Sequence, residues 1–295
     1  MIVEIVKFFI YAMLIVMISK LMLVKALRKL SESLKLKPRT IGNIAGVATS
    51  IPEFLTVTVS SFKGLANTSL YNILSSNIIN FIQYILSIII NKNYKELRNK
   101  AIIIELIIVI VTILIPIFLL NYEKEIDVKF ALTFIILYIG FSIIIKKVHE
   151  KYFYEEKSEE EDVLDEKVKS TKKYVYILII ILSGILLYII GNALGDVLEN
   201  LSELFGIAEF ILGILLGMIT SIPELITFFE SQKHYREKES NKFLGVIEAT
   251  NNLLSSNMIN LFLIQSLGII IYVMFWNCTI NKMYISILNQ KSTQY

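Results

Sequence analysis

Long apolar stretches separated by short charged segments run through the whole chain. A helix needs about 20 residues to cross a bilayer, and eight stretches reach that scale. They are residues 2–24, 40–62, 67–90, 101–120, 128–145, 174–194, 205–231 and 244–276. The pattern predicts an all-α polytopic membrane protein with two transmembrane halves, 1–145 and 174–295, joined by a charged linker at 146–173.

Two of the predicted spans carry the same pattern, in which a proline directly precedes a glutamate. The first copy, residues 48–54, reads Ala-Thr-Ser-Ile-Pro-Glu-Phe, and the second, residues 219–225, reads Ile-Thr-Ser-Ile-Pro-Glu-Leu. A carboxylate in mid-membrane costs roughly 2.5–3.5 kcal/mol on insertion scales, and a proline removes a helical hydrogen bond. Carbonyl groups freed beside a carboxylate suit a hard cation such as Ca²⁺. Glu53 and Glu224 are therefore candidate cation ligands.

A serine–asparagine motif follows each proline–glutamate pair. Its polar side chains are four residues apart, so that they share one face of a helix. The two sets are Asn72, Ser76 and Asn80, and Asn252, Ser256 and Asn260, with Glu248 one turn before the second. Such residues also serve as hydrogen bonds between helices, but their repeated pairing with a Pro-Glu helix favours an ion site. The copies lie 171 residues apart at the first motif and 180 at the second, as in duplicated transporter folds.

The charge of the loops predicts an orientation. Basic loops follow predicted spans one, three and seven, whereas the loops after spans four and six are acidic, the latter with Asp196, Glu199 and Glu203. The positive-inside rule is satisfied throughout if the N-terminus is extracytoplasmic and the linker cytoplasmic. The two motif copies then cross the membrane in opposite directions, as an inverted repeat. Glu105 and Glu209 lie near span ends, where we expect them to snorkel towards the interface.

The composition of the chain narrows the class of protein further. Apolar residues make up 55% of the chain, and the mean hydropathy is +0.64, whereas soluble domains have about 45–50% apolar residues. The net charge is +3, but the lysines flank apolar spans, so that nucleic acid is not an expected partner. A single cysteine, Cys278, excludes an internal disulfide, and two distant histidines argue against zinc.

We interpret the acidic run 155–162 as a solvated hinge, with a regulatory Ca²⁺ site as the alternative.

Thr-Ser-Ile-Pro-Glu followed by Ser-Asn-x-x-Asn, present twice, resembles the two alpha-repeats of the sodium/calcium exchanger family of calcium:cation antiporters. The resemblance covers about residues 40–90 and 205–276. It implies ten spans in two inverted halves and alternating access, with Ca²⁺ exchanged for Na⁺ or H⁺ and no cofactor. It also implies that Glu53 and Glu224 are the central Ca²⁺ ligands. The remaining implied ligands are the backbone carbonyls of Thr49 and Thr220 and the side chains of Ser76, Asn80, Ser256 and Asn260.

Several positions depart from the family pattern. Ala48 and Ile219 stand where the family has glycine, and Asn80 and Asn260 are neutral where many exchangers hold an aspartate. The site then carries the charge of two glutamates only. Because an unbalanced charge is expensive in a low-dielectric site, we expect nearly electroneutral exchange of Ca²⁺ for H⁺ or about two Na⁺.

The end of the chain offers no clear further span. Residues 277–295 are too short and too polar for two more helices. We therefore expect either that C-terminal spans are missing or that a second subunit, as in a homo-oligomer, covers the last helix.

These features predict a secondary antiporter of the plasma membrane, rather than an enzyme, that exports Ca²⁺ from the cytoplasm. One alternative is a degenerate or incomplete relative with a structural or partner-dependent role in the membrane. A remote alternative is an inverted-repeat membrane phosphatase. Phosphate chemistry requires arginine or lysine near the acidic groups, and no basic residue lies within either motif.

Overall fold

A computed structural model of the chain describes residues 2–34, 36–122, 128–152, 173–237 and 242–277. These residues form helices joined by short turns, and no β-strand occurs among them, which confirms the all-α prediction. Most of the predicted linker, residues 153–172, and the tail after residue 277 lie outside the described residues.

Eight helices of the described part are long and apolar enough to cross a membrane. They are α1 (Ile2–Leu27), α2 (Pro38–Phe62), α3 (Ala66–Ile90), α4 (Lys100–Phe118), α5 (Val128–Val148), α6 (Lys173–Leu204), α7 (Glu209–Tyr235) and α8 (Lys242–Trp276). Helical structure continues beyond the apolar part in α4 to Tyr122, in α5 to Tyr152 and in α7 to Glu237. An amphipathic helix (Lys25–Ser33) extends α1, and a 3₁₀ turn (Glu96–Arg98) precedes α4.

Five of these helices are irregular. Short breaks divide α2 into α2a (Pro38–Thr49) and α2b (Ile51–Phe62), and α7 into α7a (Glu209–Thr220) and α7b (Ile222–Glu237). Helix α8 consists of Lys242–Met258, a π-helical segment (Ile259–Ile264), Gln265–Tyr272 and a final π-helical turn (Val273–Asn277). Further π-helical segments lie within α1 (Ser19–Val24) and at the end of α6 (Asn200–Leu204).

Helix α6 is longer than the sequence pattern predicted. The pattern ended the sixth span at residue 194, but the helix reaches Leu204, so that the predicted acidic loop is its last turns. Asp196 and Glu199 bind the ammonium group of Lys63 at 2.9 and 2.6 Å. Two hydrogen bonds raise the pKa of Lys63 above its usual 10.5, and the one with Glu199 has a larger effect than the one with Asp196. Asp196 and Glu199 can therefore lie in the helix, because the Lys63 ammonium group and solvent satisfy their carboxylates.

Contacts near the ends of the helices define the two ends of the bundle. At one end, called here the Lys63 end, Lys63 after α2 meets Glu199 in α6, and Glu209 in α7a accepts hydrogen bonds from the amides of Asn67 and Thr68 in α3. At the opposite end, called the Asn93 end, Asn93 after α3 donates to Gln232 in α7b. Helix α2 therefore ends where α7 begins, and the two broken helices run in opposite directions.

The two glutamates that were expected to snorkel lie in different surroundings. Glu209 caps the N-terminus of α3, where a carboxylate satisfies amides that have no helical partner. Glu105 is only 1% exposed, and its helix α4 packs against α3 and α8. Snorkelling was the wrong prediction for Glu105, which is buried, whereas Glu209 is half-buried and binds backbone amides at the Lys63 end.

Candidate functional site

The proline–glutamate motifs start new half-helices. Helix α2a ends at Thr49 and α2b begins at Ile51, with a proline in its first turn; α7a and α7b are separated in the same way at Ser221. A proline is tolerated in the first turn of a helix, because its missing N–H has no helical partner there. The sequence analysis expected a helix that loses one bond, and the structure has an interruption of one residue in each helix. Ser50 and Ser221 keep helical backbone angles, and their amides still donate to the carbonyls of Gly46 and Gly217 at 3.2 Å. Each break exposes helical carbonyls on one side and helical amides on the other.

Each half-helix before a break packs against the other repeat. Helix α2a contacts the first part of α8, and α7a contacts α3. Glycines make these contacts close: a Cβ atom on Gly46 would lie 2.7 Å from the carbonyl oxygen of Asn252, and one on Gly217 would lie 2.8 Å from that of Asn72. The two repeats are therefore interlocked around the breaks.

The two motif glutamates meet at the centre of this arrangement. Glu53 and Glu224 are each 0% exposed, and each lies in the first turn of its half-helix, where the helix dipole favours a negative charge. The carboxylates are close enough to interact electrostatically. Two buried carboxylates at facing helix N-termini form a strongly cation-attracting centre.

Hydroxyl groups surround the two carboxylates with approximate two-fold symmetry. Glu53 lies beside Ser76 of its own repeat and Thr220 of the other, while Glu224 lies beside Ser256 of its own repeat and Thr49 of the other. The symmetry is incomplete, since Ser256 donates a hydrogen bond to Glu224 at 3.0 Å, whereas neither oxygen of Glu53 has a hydrogen-bond partner.

An asparagine network joins the two serine–asparagine helices. The side-chain amide of Asn77 donates to the carbonyl of Asn257 at 3.1 Å, and Asn257 returns the same bond to Asn77 at 3.1 Å. Asn80 donates to the Asn257 side chain and Asn260 to the Asn77 side chain, both at 3.3 Å. These bonds use the oxygen atoms of Asn77 and Asn257 as acceptors and leave the side-chain oxygens of Asn80 and Asn260 without partners.

The site contains buried oxygen atoms without hydrogen-bond partners. They are both carboxylate oxygens of Glu53, Oε2 of Glu224, and Oδ1 of Asn72, Asn80 and Asn260. A buried polar atom left unsatisfied costs about 1–3 kcal/mol. All six atoms are acceptors, and oxygen atoms of these kinds are the ligands that hard cations take.

The structure places all eight predicted ligands in this region. Thr49, Glu53, Ser76, Asn80, Thr220, Glu224, Ser256 and Asn260 are each 0% exposed. The hydroxyl of Ser76 lies 3.4 Å from that of Thr220, and the hydroxyl of Thr49 donates to Asn252 at 3.5 Å. Among the described residues, no group of three or more histidine, cysteine, aspartate or glutamate side chains could hold a metal. A cation here would meet two carboxylates and otherwise neutral oxygens.

The sequence analysis missed two features of the site. It treated Asn77 and Asn257 only as part of a motif, although they connect the repeats. It also overlooked the pairs Gly42–Gly46 and Gly213–Gly217, which recur at the 171-residue offset and have the small-xxx-small spacing of close membrane helix contacts. Glu248 extends the polar stripe as expected; it is buried, and Ser231 donates to it at 2.7 Å.

Comparisons with known proteins agree with this architecture. The profile of the family described as sodium/calcium exchanger protein matches residues 5–147 and 175–288. The crystal structure of the H⁺/Ca²⁺ exchanger CAX is similar, with a TM-score of 0.61 and 16% sequence identity, over 92% of this chain and 68% of that chain. None of the curated proteins compared with the chain matches it.

Interlocked, oppositely directed repeats around two buried carboxylates define a polytopic ion transporter. The family profile covers most of both halves, and the chain belongs to the sodium/calcium exchanger family. It is an integral membrane Ca²⁺/cation antiporter, and the expected family, fold and transport class are confirmed.

Proposed function

We propose that the chain exports Ca²⁺ from the cytoplasm across the plasma membrane in exchange for Na⁺ or H⁺, with Glu53 and Glu224 as the central ligands. The observation that carries this proposal is the presence of two fully buried carboxylates, Glu53 and Glu224, in a region with further buried and unpartnered oxygen atoms. Hard cations such as Ca²⁺ take six to eight oxygen ligands. The other ligands are Thr49, Ser76, Asn80, Thr220, Ser256 and Asn260.

The charge of the site limits the counter-ion. Two carboxylates balance one Ca²⁺, and after Ca²⁺ leaves they can be neutralised by two protons or by about two Na⁺. A third Na⁺ would carry an uncompensated charge into a buried site. The fold is shared with an H⁺/Ca²⁺ exchanger, but at 16% identity this likeness does not select between H⁺ and Na⁺.

Alternating access explains how one site serves both sides of the membrane. The site lies between two inverted, interlocked repeats, and a cation can be exposed to each side in turn if one pair of helices moves against the other. The charge of the loops supports an extracytoplasmic N-terminus. In that orientation the Lys63 end is extracytoplasmic and the Asn93 end is cytoplasmic.

Flux into proteoliposomes tests the function and the site together. The purified protein is reconstituted, and Ca²⁺ uptake is measured with a Na⁺ gradient and with a pH gradient, each imposed alone. We expect one of the two gradients to drive uptake. Absence of uptake with either gradient, in protein that still unfolds cooperatively, would favour the degenerate relative.

Two variants test the ligand assignment. Glu53→Gln and Glu224→Gln should each weaken Ca²⁺ binding by about 100-fold or more, because removal of one carboxylate leaves one positive charge of the buried Ca²⁺ uncompensated. Glu203→Gln is the matched control, since Glu203 is exposed at the end of α6. Transport at the parental rate by either central variant would show that the assignment is wrong.

A further inference from the structure

A cavity opens at the Asn93 end, between the last turns of α1 with their amphipathic extension and the half-helix α7b. Its volume is about 510 Å³, within the range of about 300–1,000 Å³ that is usual for ligand pockets. On α7b it extends from His234, close to the Gln232 that bonds Asn93, back to Pro223. This stretch is about 16 Å long at about 1.5 Å per residue. The cavity is therefore about as deep as one leaflet, since the whole hydrocarbon core is about 30 Å thick.

Basic side chains dominate the charge of this cavity. They are Lys20, Lys25, Lys29, Lys233 and His234, and the one acidic residue of the lining is Glu230. With histidine neutral, four lysines and one glutamate give the lining a net charge of +3. Such a field repels Ca²⁺ and attracts anions. The cavity is therefore unsuited as an entrance to the ion site, although its inner end reaches the proline beside Glu224.

Three of the lysines lack a carboxylate partner. Within the described part of the chain, Lys20, Lys25 and Lys29 form no salt bridge. At the opposite end of the bundle, by contrast, Lys63 is held by two carboxylates. Lys20 lies inside the apolar span of α1 and is half-buried, where a charged side chain is costly unless it is paired. An anion in the cavity would supply the missing partner.

The deeper part of the cavity is mostly apolar. Leu21 and Val24 of α1 line it together with Pro223 and Ile226 of α7b. The long apolar stem of Lys20 allows its ammonium group to reach from this level towards the interface. The lining is thus basic towards the Asn93 end and apolar towards the middle of the membrane. A molecule that matches it has an anionic head and an apolar tail.

We propose that this cavity binds one anionic phospholipid, whose phosphate lies among Lys20, Lys25 and Lys29 and whose acyl chain follows the apolar part. Basic pockets between transmembrane helices on the cytoplasmic side suit anionic headgroups. The bound lipid lies between α1 and the half-helix that begins beside Glu224. This site is separate from the ion site, and only the assignment of its leaflet to the cytoplasm rests on the proposed orientation.

Lipid binding to the purified protein tests the proposal. Delipidated protein in a neutral detergent is titrated with phosphatidylglycerol and, separately, with phosphatidylcholine, and bound lipid is counted by native mass spectrometry. We expect one phosphatidylglycerol to bind about tenfold more tightly than phosphatidylcholine does, because only its headgroup has a net negative charge. Equal affinities would show that the cavity does not select an anionic headgroup, and the proposal would be wrong.

Substitution of the three lysines locates the headgroup. Lys20→Gln, Lys25→Gln and Lys29→Gln in one chain should weaken phosphatidylglycerol binding about 100-fold, since one lysine near a membrane surface contributes about fivefold. The corresponding triple arginine variant keeps the charge and should keep the affinity within about threefold. If the triple glutamine variant does not fold, Lys25→Gln with Lys29→Gln, both at exposed positions, should still weaken binding about 25-fold.

A matched control separates the cavity from general surface charge. Lys95→Gln, Arg98→Gln and Lys100→Gln remove the same charge from exposed positions at the same end of the bundle, outside the cavity. Their combination should change phosphatidylglycerol affinity by less than about threefold. Equal losses in the cavity variant and in this control would reduce the binding to non-specific attraction and refute the site.

Inorganic phosphate distinguishes a lipid from a soluble anion. At the concentration of phosphatidylglycerol that fills the site, inorganic phosphate should not displace the lipid, because it has no acyl chain for the apolar part. Displacement at equal concentration would assign the cavity to a soluble phosphate compound and overturn the lipid proposal. None of these measurements depends on Ca²⁺ flux, so that a failure of the proposed function would leave them readable.

Discussion

Substitution of Gly46 by alanine tests whether the close contact between the repeats sets the geometry of the ion site. The new Cβ would lie 2.7 Å from the carbonyl oxygen of Asn252, 2.8 Å from the Cβ of Ser255 and 2.9 Å from the amide nitrogen of Ser256. Carbon atoms prefer separations of about 3.5–4.0 Å, so that α2a and α8 must separate by about 1 Å. Two of these neighbours are backbone atoms, which cannot rotate away.

The expected effect follows from three contributions. Overpacking of this kind costs about 1–3 kcal/mol, and replacement of a helical glycine by alanine returns about 1 kcal/mol. The net loss of stability is therefore modest. The displacement, however, moves Ser256, whose hydroxyl bonds Glu224 at 3.0 Å, and we expect Ca²⁺ affinity to fall about tenfold, which corresponds to about 1.4 kcal/mol.

Calorimetric Ca²⁺ titration and thermal unfolding in detergent measure the two effects separately. Gly184→Ala is the matched control, because a Cβ atom there would have no neighbour within 4 Å; its affinity should be unchanged and its stability equal or about 0.5–1 kcal/mol higher. If Gly46→Ala binds Ca²⁺ as tightly as Gly184→Ala does, the contact between repeats does not position the site.

Three further predictions concern the repeat contact, the orientation and the charge of the cycle. Asn77→Leu and Asn257→Leu should each cost about 1–3 kcal/mol of unfolding free energy, because each leaves partners unsatisfied, and the double variant should cost less than the sum in thermal unfolding; simple additivity would contradict the reciprocal bond. A cysteine introduced into the linker 146–173 should remain unlabelled by an impermeant reagent in intact cells, and strong labelling would reverse the proposed orientation. Ca²⁺ flux in proteoliposomes should be insensitive to voltage; a clear voltage dependence would refute electroneutral exchange, and its loss in Glu248→Gln would assign the extra charge to that residue.

The spans and the paired motifs could be predicted from the sequence because each of them recurs along the chain. Eight apolar stretches recur at membrane length, and the repeated glutamates stand out against an apolar background. The relative direction of the repeats could be read from loop charge, and the contacts at the Lys63 end agree with it. These properties depend on local composition, which a single sequence displays directly.

The remaining features depend on contacts between distant segments. Whether Glu105 is buried depends on the packing of α4 against α3 and α8, which no local pattern records. The sequence analysis assigned Asp196 and Glu199 to a loop, because carboxylates usually end apolar stretches. They lie in a helix because they bind Lys63, which is more than a hundred residues earlier in the chain. The unequal hydrogen bonding of Glu53 and Glu224 likewise follows from side-chain placement within nearly identical motifs.

The interlocking of the repeats has a consequence for the assembly of the protein during synthesis. Helix α2a finds its partner in α8, and α3 finds its partner in α7a. The first half therefore enters the membrane long before the helices that enclose Glu53 and its neighbouring asparagines have been made. Until then, these polar groups must be sheltered by lipid headgroups, water or the insertion machinery. Completion of the ion site is thus a late step of biogenesis, and neither half can form the site alone.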